Sequence, residues 1–144
     1  MARIAEPAVT SKPIPVVPGD HMALLLKACS GKGLAARRDT AMIRLWCEAG
    51  SPRVSEMVGI TLAALDMRHD LVTLHGKGDK IRSVPFDAKT GQAIDRYLRV
   101  RSKHRDAARV EALWLAERGG ALTSYSPPAN FPQSTRTCRG RCLS

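Results

Sequence analysis

Apolar positions along the chain recur at helical spacing, give way to short strand-like runs, and then return to helical spacing. Asp20 is a candidate N-cap, and Met22, Leu25, Leu26 and Cys29 follow at i, i+3, i+4 and i+7. This predicts an amphipathic helix closed by Gly31 or Gly33. After the basic pair Arg37-Arg38, the stripe Met42, Leu45, Trp46 and Ala49 predicts a second helix ending at Gly50. Both stripes read as core, so Trp46 is expected to pack inside and not to stack on a base. Asp87 is a candidate cap for a further long helix reaching about Arg101. On it Ile94, Tyr97 and Leu98 are expected to face inward, and Arg96, Arg99, Arg101 and Lys103 outward.

The stretch Glu48–Phe86 lies between these helices and organises the rest. Ser51 and Pro52 are expected to open a short helix carrying Arg53, Ser55, Glu56 and Met57, with Ser51 as cap and Pro52 at the first position. A turn or partial helix is expected over Thr61–Asp66. Two strands, Leu71–His75 and Ile81–Pro85, are rich in Val, Leu, Ile and Thr and flank Gly76-Lys77-Gly78-Asp79-Lys80, which predicts a hairpin. Residues 104–110 read as a loop, Leu113-Trp114-Leu115 as a final strand or turn, and Gly119-Gly120 as another turn. The fold class is therefore α+β, mainly helical with a small antiparallel hairpin or three-stranded sheet. Residues 1–19, with four prolines, read as a linker-like arm, and residues 20–123 as the folded part. Residues 124–144, with Ser, Thr, Pro and Arg but no acids, read as a disordered tail.

Composition narrows the partners. A formal charge of +10 over 144 residues points to nucleic acid or another anionic surface, the plainer alternative being a solvated basic surface. No apolar run approaches the ~18 residues of a membrane span, and the N-terminus lacks a signal-peptide core, so a cytoplasmic protein is expected. Cys29 and Cys47 fall on apolar helix faces and read as small buried hydrophobes. Cys138 and Cys142 are spaced C-x3-C without a second ligand pair, so no metal is expected. Neither Ser30-Gly31-Lys32-Gly33 nor Gly76-Lys77-Gly78 has the remaining residues of a P-loop, and no small-molecule cofactor is expected.

Arg53-Val54-Ser55-Glu56-Met57, Gly59-Ile60-Thr61, Asp66, His75-Gly76-Lys77-Gly78-Asp79-Lys80 and Val84-Pro85 occur in an order and spacing that resembles the tyrosine recombinases, the phage-integrase family. The resemblance covers roughly residues 20–123 and implies the N-terminal half of that family's catalytic domain. It also implies DNA as partner, with strand cleavage and rejoining through a 3′-phosphotyrosine. By position Arg53 matches the first catalytic arginine, Lys77 the hairpin lysine that protonates the departing 5′ oxygen, and Glu56 the acid that orients the arginine. Lys80 and Arg82 become candidate contacts to the DNA backbone. Two residues, Ser51 and Pro52, separate Gly50 from Arg53 where the family usually has one.

The rest of the family's catalytic set is not found. None of His21, His69, His75 and His104 begins a His-x-x-Arg pair. Tyr97 reads as a core residue and Tyr125 falls in the expected tail, so no nucleophile is assigned. The sequence therefore implies a truncated fragment that does not cleave DNA alone, with apolar surface left exposed on its first two helices. The alternatives are a small basic DNA-binding or regulatory module, and an accessory subunit of an intact recombinase.

Overall fold

Two long helices form the frame. In the computed structural model, which describes residues 18–124, helix α2 (Leu34–Glu48) packs along helix α4 (Ala88–Arg101), and a small sheet closes one end. Helix α1 (Gly19–Ala28) precedes them, and the short helix α3 (Val54–Val58) links α2 to the sheet. A 3-10 turn over Leu62–Ala64 leads into strand β1 (Leu65–Asp66), followed by β2 (Leu71–His75) and β3 (Ile81–Pro85). The sheet is antiparallel in the order β1-β2-β3, and Val72 stands opposite both Leu65 and Val84. This is the expected α+β class, and both hairpin strands have the expected limits. Among the described residues no helix is long and apolar enough to cross a membrane.

The core lies where the helices meet the sheet. Leu45 and Ala41 of α2, Ile94 and Tyr97 of α4, Val72 and Leu74 of β2, and Met57 of α3 are all buried. Trp46 and Leu98 pack against that cluster, as expected of them. Leu113, Trp114 and Leu115 are fully buried and run as an irregular segment, its β-pairing among the described residues limited to the bridges Thr61–Ala112 and Leu115–Ala121. The Tyr97 hydroxyl donates to the Leu113 carbonyl at 2.8 Å and accepts from the Leu115 amide at 2.9 Å. Removing that hydroxyl strands the buried Leu115 amide, while the Leu113 carbonyl keeps Arg101 Nε at 3.0 Å. Tyr97→Phe is therefore expected to cost about 1–3 kcal/mol. A lowered urea midpoint at unchanged slope would show it, and an unmoved midpoint would show that the bridge contributes nothing.

Asp87 caps α4 as expected, its Oδ1 accepting from the Thr90 amide at 2.6 Å. That hydrogen bond holds its carboxyl below the usual carboxylate range. The His69 ring does the same for Asp66, and the Gly120 amide for Asp106. A carboxyl whose pKa is lowered by folding contributes its stability in full above the unfolded value of about 3.9, and loses it as pH falls through the lower folded value. The melting temperature is therefore expected to hold from neutrality to about pH 5 and to drop below about pH 4. An equal melting temperature at pH 3 and pH 6 would sink that expectation.

Six expectations give way to the structure. Helix α1 begins at Gly19 with Pro18 at its N-cap, so Asp20 lies in the first turn and does not cap it. Its stripe is only partly covered: Met22, Leu26 and Cys29 are half-buried, Leu25 is 46% exposed, and the neighbouring Leu24 is 63% exposed. The exposed apolar surface expected on two helices is thus confined to α1. Cys47 is exposed, with its thiol 3.8 Å from the Met22 sulfur, while burial pushes the half-buried Cys29 thiol up. Arg37 and Arg38 lie inside α2, and Arg38 is buried, donating to the Leu115 carbonyl at 2.9 Å. Arg101, expected outward, is buried under the irregular segment. Residue 125, the Cys138–Cys142 pair, most of the arm and nearly all of the tail lie outside the described residues.

Candidate functional site

The start of α3 depends on how α2 ends. Gly50 takes a left-handed conformation (φ 69°), and the Ser51 amide donates back to the Trp46 carbonyl at 3.1 Å, the closing bond of a Schellman cap. Ser51 (φ 54°) therefore belongs to the end of α2, which is why it does not cap α3 as expected. Pro52 is buried and extended, and Arg53 holds the N-cap position with its side chain outward. The additional residue between Gly50 and Arg53 is absorbed by this left-handed pair.

Glu56 does two things from the first turn of α3. Its Oε2 accepts from the Arg53 main-chain amide at 3.3 Å and pairs with Arg82 Nη2 of β3 at 3.2 Å. It thus orients the arginine's backbone and the neighbouring strand, whereas the sequence pointed to the arginine itself. Gly76 lets the hairpin come this close. A Cβ there would stand 3.3 Å from both Glu56 Oε1 and the Lys80 carbonyl, and that carbonyl accepts from the Gly76 amide at 2.7 Å to close the loop. The tip turns back through left-handed Gly78 (φ 75°) and Asp79 (φ 58°).

These constraints gather Arg53, Lys77, Lys80 and Arg82 on one open cleft of about 530 Å³, floored by Gly50, Ser51, Pro52, Glu56 and Gly76. All five residues singled out from the sequence line it. Four cations face a single carboxylate, and that carboxylate is engaged with Arg82. Among the described residues no acid pairs with Arg53, Lys77 or Lys80, and Asp66 pairs with His69 at 2.7 Å. Such a cleft focuses positive potential where solvent is partly excluded, and its fixed donors suit a tetrahedral anion with several acceptor oxygens. Tyr97 and His69 do not line it: Tyr97 is buried, and His69 is held by Asp66.

Sequence reading put Arg96 on an outward basic face but missed that α2 brings further cations to it. Arg37 and Arg44 on α2 and Lys89 and Arg96 on α4 line a smaller cleft between the two helices. Their signal was a polar stripe at i, i+7 on each helix, overlooked beside the apolar stripes.

Comparison with known proteins places this geometry. Residues 15–137 match the phage integrase family. The tyrosine recombinase XerC of Azotobacter vinelandii is 38% identical over 104 residues, covering 72% of this chain and 34% of that protein. The XerC of Corynebacterium efficiens is 34% identical over 124 residues, 84% of this chain and 38% of its own length. Among solved structures, the XerA recombinase gives a TM-score of 0.62 at 21% identity, over 82% of this chain and 40% of that one. A pre-cleavage complex of the XerH recombinase bound to its difH substrate gives 0.61 at 20% identity, over 81% and 35%. The chain spans little more than a third of the length of these curated relatives. It belongs to the phage integrase family, the tyrosine recombinases.

Proposed function

We propose that the Arg53 cleft receives a DNA phosphate, as the electrophilic half of a strand-transfer site. The carrying observation is the convergence of four cations from a helix start and a hairpin on one cleft, with one carboxylate among them. In this reading Arg53 donates to the non-bridging oxygens and offsets charge that builds on them during attack. Lys77, at the hairpin tip, delivers a proton to the departing 5′ oxygen. Lys80 and Arg82 hold the adjoining backbone, and Glu56 fixes Arg82 and the N-cap of α3. That the similar XerH was solved on its difH substrate supports DNA as the ligand. The 144-residue chain then acts as a DNA-binding unit without cleavage activity of its own.

Removing hairpin charge tests the reading. Lys77→Ala with Lys80→Ala is expected to weaken duplex binding by roughly tenfold at low salt, and to flatten the dependence of log affinity on log salt by about two. A titration on labelled duplex reads both quantities. If affinity and slope match those of the unaltered chain, the hairpin is not the contact surface.

A further inference from the structure

The cleft between α2 and α4 is built differently from the Arg53 cleft and shares no residue with it. Arg37, Thr40 and Arg44 lie on one face of α2, and Lys89, Gln92, Ala93 and Arg96 on the facing side of α4. The spacing is i, i+3, i+7 on one helix and i, i+3, i+4, i+7 on the other, so two basic stripes meet along the seam. Buried Ala41 and Ala93 keep the helices close there. The cleft is partly open, with a volume of about 150 Å³, enough for one tetrahedral oxyanion.

No ion pair within the cleft neutralises these cations, although the Asp87 carboxylate lies close enough to Arg44 to feel its charge. Among the described residues none of Arg37, Arg44, Lys89 and Arg96 forms an ion pair. The acids at the edge are committed elsewhere. Asp39 pairs with Arg38 at 2.8 Å. Glu48 accepts from the Asp87 amide at 2.8 Å and from the Thr90 hydroxyl at 2.7 Å. Asp87 caps α4. The Thr40 hydroxyl is turned to the Ala36 carbonyl at 2.9 Å, leaving the guanidinium, ammonium and Gln92 amide groups as the donors. Four like charges on rigid helices repel one another unless an anion sits among them, and helix rigidity fixes the donors in advance.

We propose that this cleft is a second phosphate site, taking one phosphate group of the DNA backbone apart from the group held at Arg53. The DNA assignment rests on the function proposed above, while the affinity for a phosphate oxyanion does not. Arg44→Gln with Arg96→Gln in the full 144-residue chain tests both levels. Duplex affinity is expected to fall about tenfold at low salt, with a salt slope shallower by about 0.9, the share of one phosphate. Arg44→Lys with Arg96→Lys, which keeps the charge, is expected to retain the slope. In amide NMR, inorganic phosphate is expected to shift residues 37–44 and 89–96 in the unaltered chain but not in the glutamine variant. If duplex binding fails altogether while those shifts appear, the cleft stands as a site for free phosphate and the DNA reading falls. If the glutamine variant binds duplex with unchanged slope, the cleft is not a DNA contact. If inorganic phosphate leaves both segments unmoved and the slope is also unchanged, the site does not exist.

Discussion

Arg101→Met is expected to unfold the domain or bring it to the edge of unfolding. The side chain is 4% exposed and is the only bond donor that several carbonyls of the irregular segment have in common. Its Nε donates to the Leu113 carbonyl at 3.0 Å and Nη1 to Ala107 at 3.3 Å, while Nη2 serves Val110 at 2.6 Å and Ala112 at 2.8 Å. Methionine fills much of the volume but satisfies none of these acceptors. The Leu113 carbonyl keeps the Tyr97 hydroxyl, so three partly buried carbonyls lose this donor, each at a cost of up to about 1–3 kcal/mol. Small domains have only about 5–15 kcal/mol in total. Arg101→Lys is expected to recover only part, because one ammonium does not span four carbonyls. Urea unfolding followed by circular dichroism reads the loss. A midpoint within experimental error of the unaltered chain would show that water replaces the guanidinium.

The consequence reaches the cleft. The segment that Arg101 holds donates from the Leu113 amide to the Ile60 carbonyl at 2.8 Å and accepts at Glu111 from the Leu62 amide at 2.9 Å. One residue on, the Trp114 ring donates to the Met57 carbonyl at 2.8 Å, directly below the last turn of α3. The tilted pair Trp114–Tyr97, with ring centroids 5.4 Å apart, ties this brace to α4. The position of Arg53 at the opposite end of a five-residue helix therefore depends on packing rather than on helix propensity, since one turn of helix is not stable by itself.

Arg101 also shows where the sequence was readable and where it was not. Ile94, Tyr97, Leu98 and Arg101 form an i, i+3, i+4, i+7 set, so periodicity alone put the arginine on the inward stripe. Arg38 stands in the same relation to Ala41 and Leu45. Their charge argued for solvent, and only the carbonyls of a segment distant in sequence explain why they are inside. The hairpin was legible because its signals are local: runs rich in Val, Leu, Ile and Thr, closely spaced glycines and a five-residue turn. Asp87 was legible as a cap for the same reason. Helix α1 shows the converse, since an amphipathic stripe records what a helix would bury and not how fully a partner covers it. The cleft at Arg53 was legible residue by residue, but its closure was not. That depends on Glu56 reaching a strand 26 residues away, and on Gly50 and Ser51 ending α2 instead of beginning α3.

No covalent protein–DNA adduct is expected when the purified 144-residue chain is incubated with a nicked suicide duplex. Phosphotyrosine formation needs a phenol oxygen in line with the phosphate and a base or field that draws off its proton. Tyr97 offers neither, because its oxygen is occupied by the Leu113 carbonyl and the Leu115 amide, and burial holds its pKa above the ordinary tyrosine value. It stays a neutral phenol facing away from solvent. The chain has no His-x-x-Arg pair to complete the donors around the phosphate. Catalytic groups that act together lose most of their rate when one is missing, commonly by several powers of ten. On the proposed reading, Arg53 and Lys77 then hold a phosphate that no described tyrosine attacks. Denaturing gels read the outcome directly. An adduct that survives detergent and maps to Tyr125 would overturn the proposed division of labour. Duplex binding by the same preparation, weakened by Lys77→Ala with Lys80→Ala, separates a folded chain without a nucleophile from one that has merely unfolded.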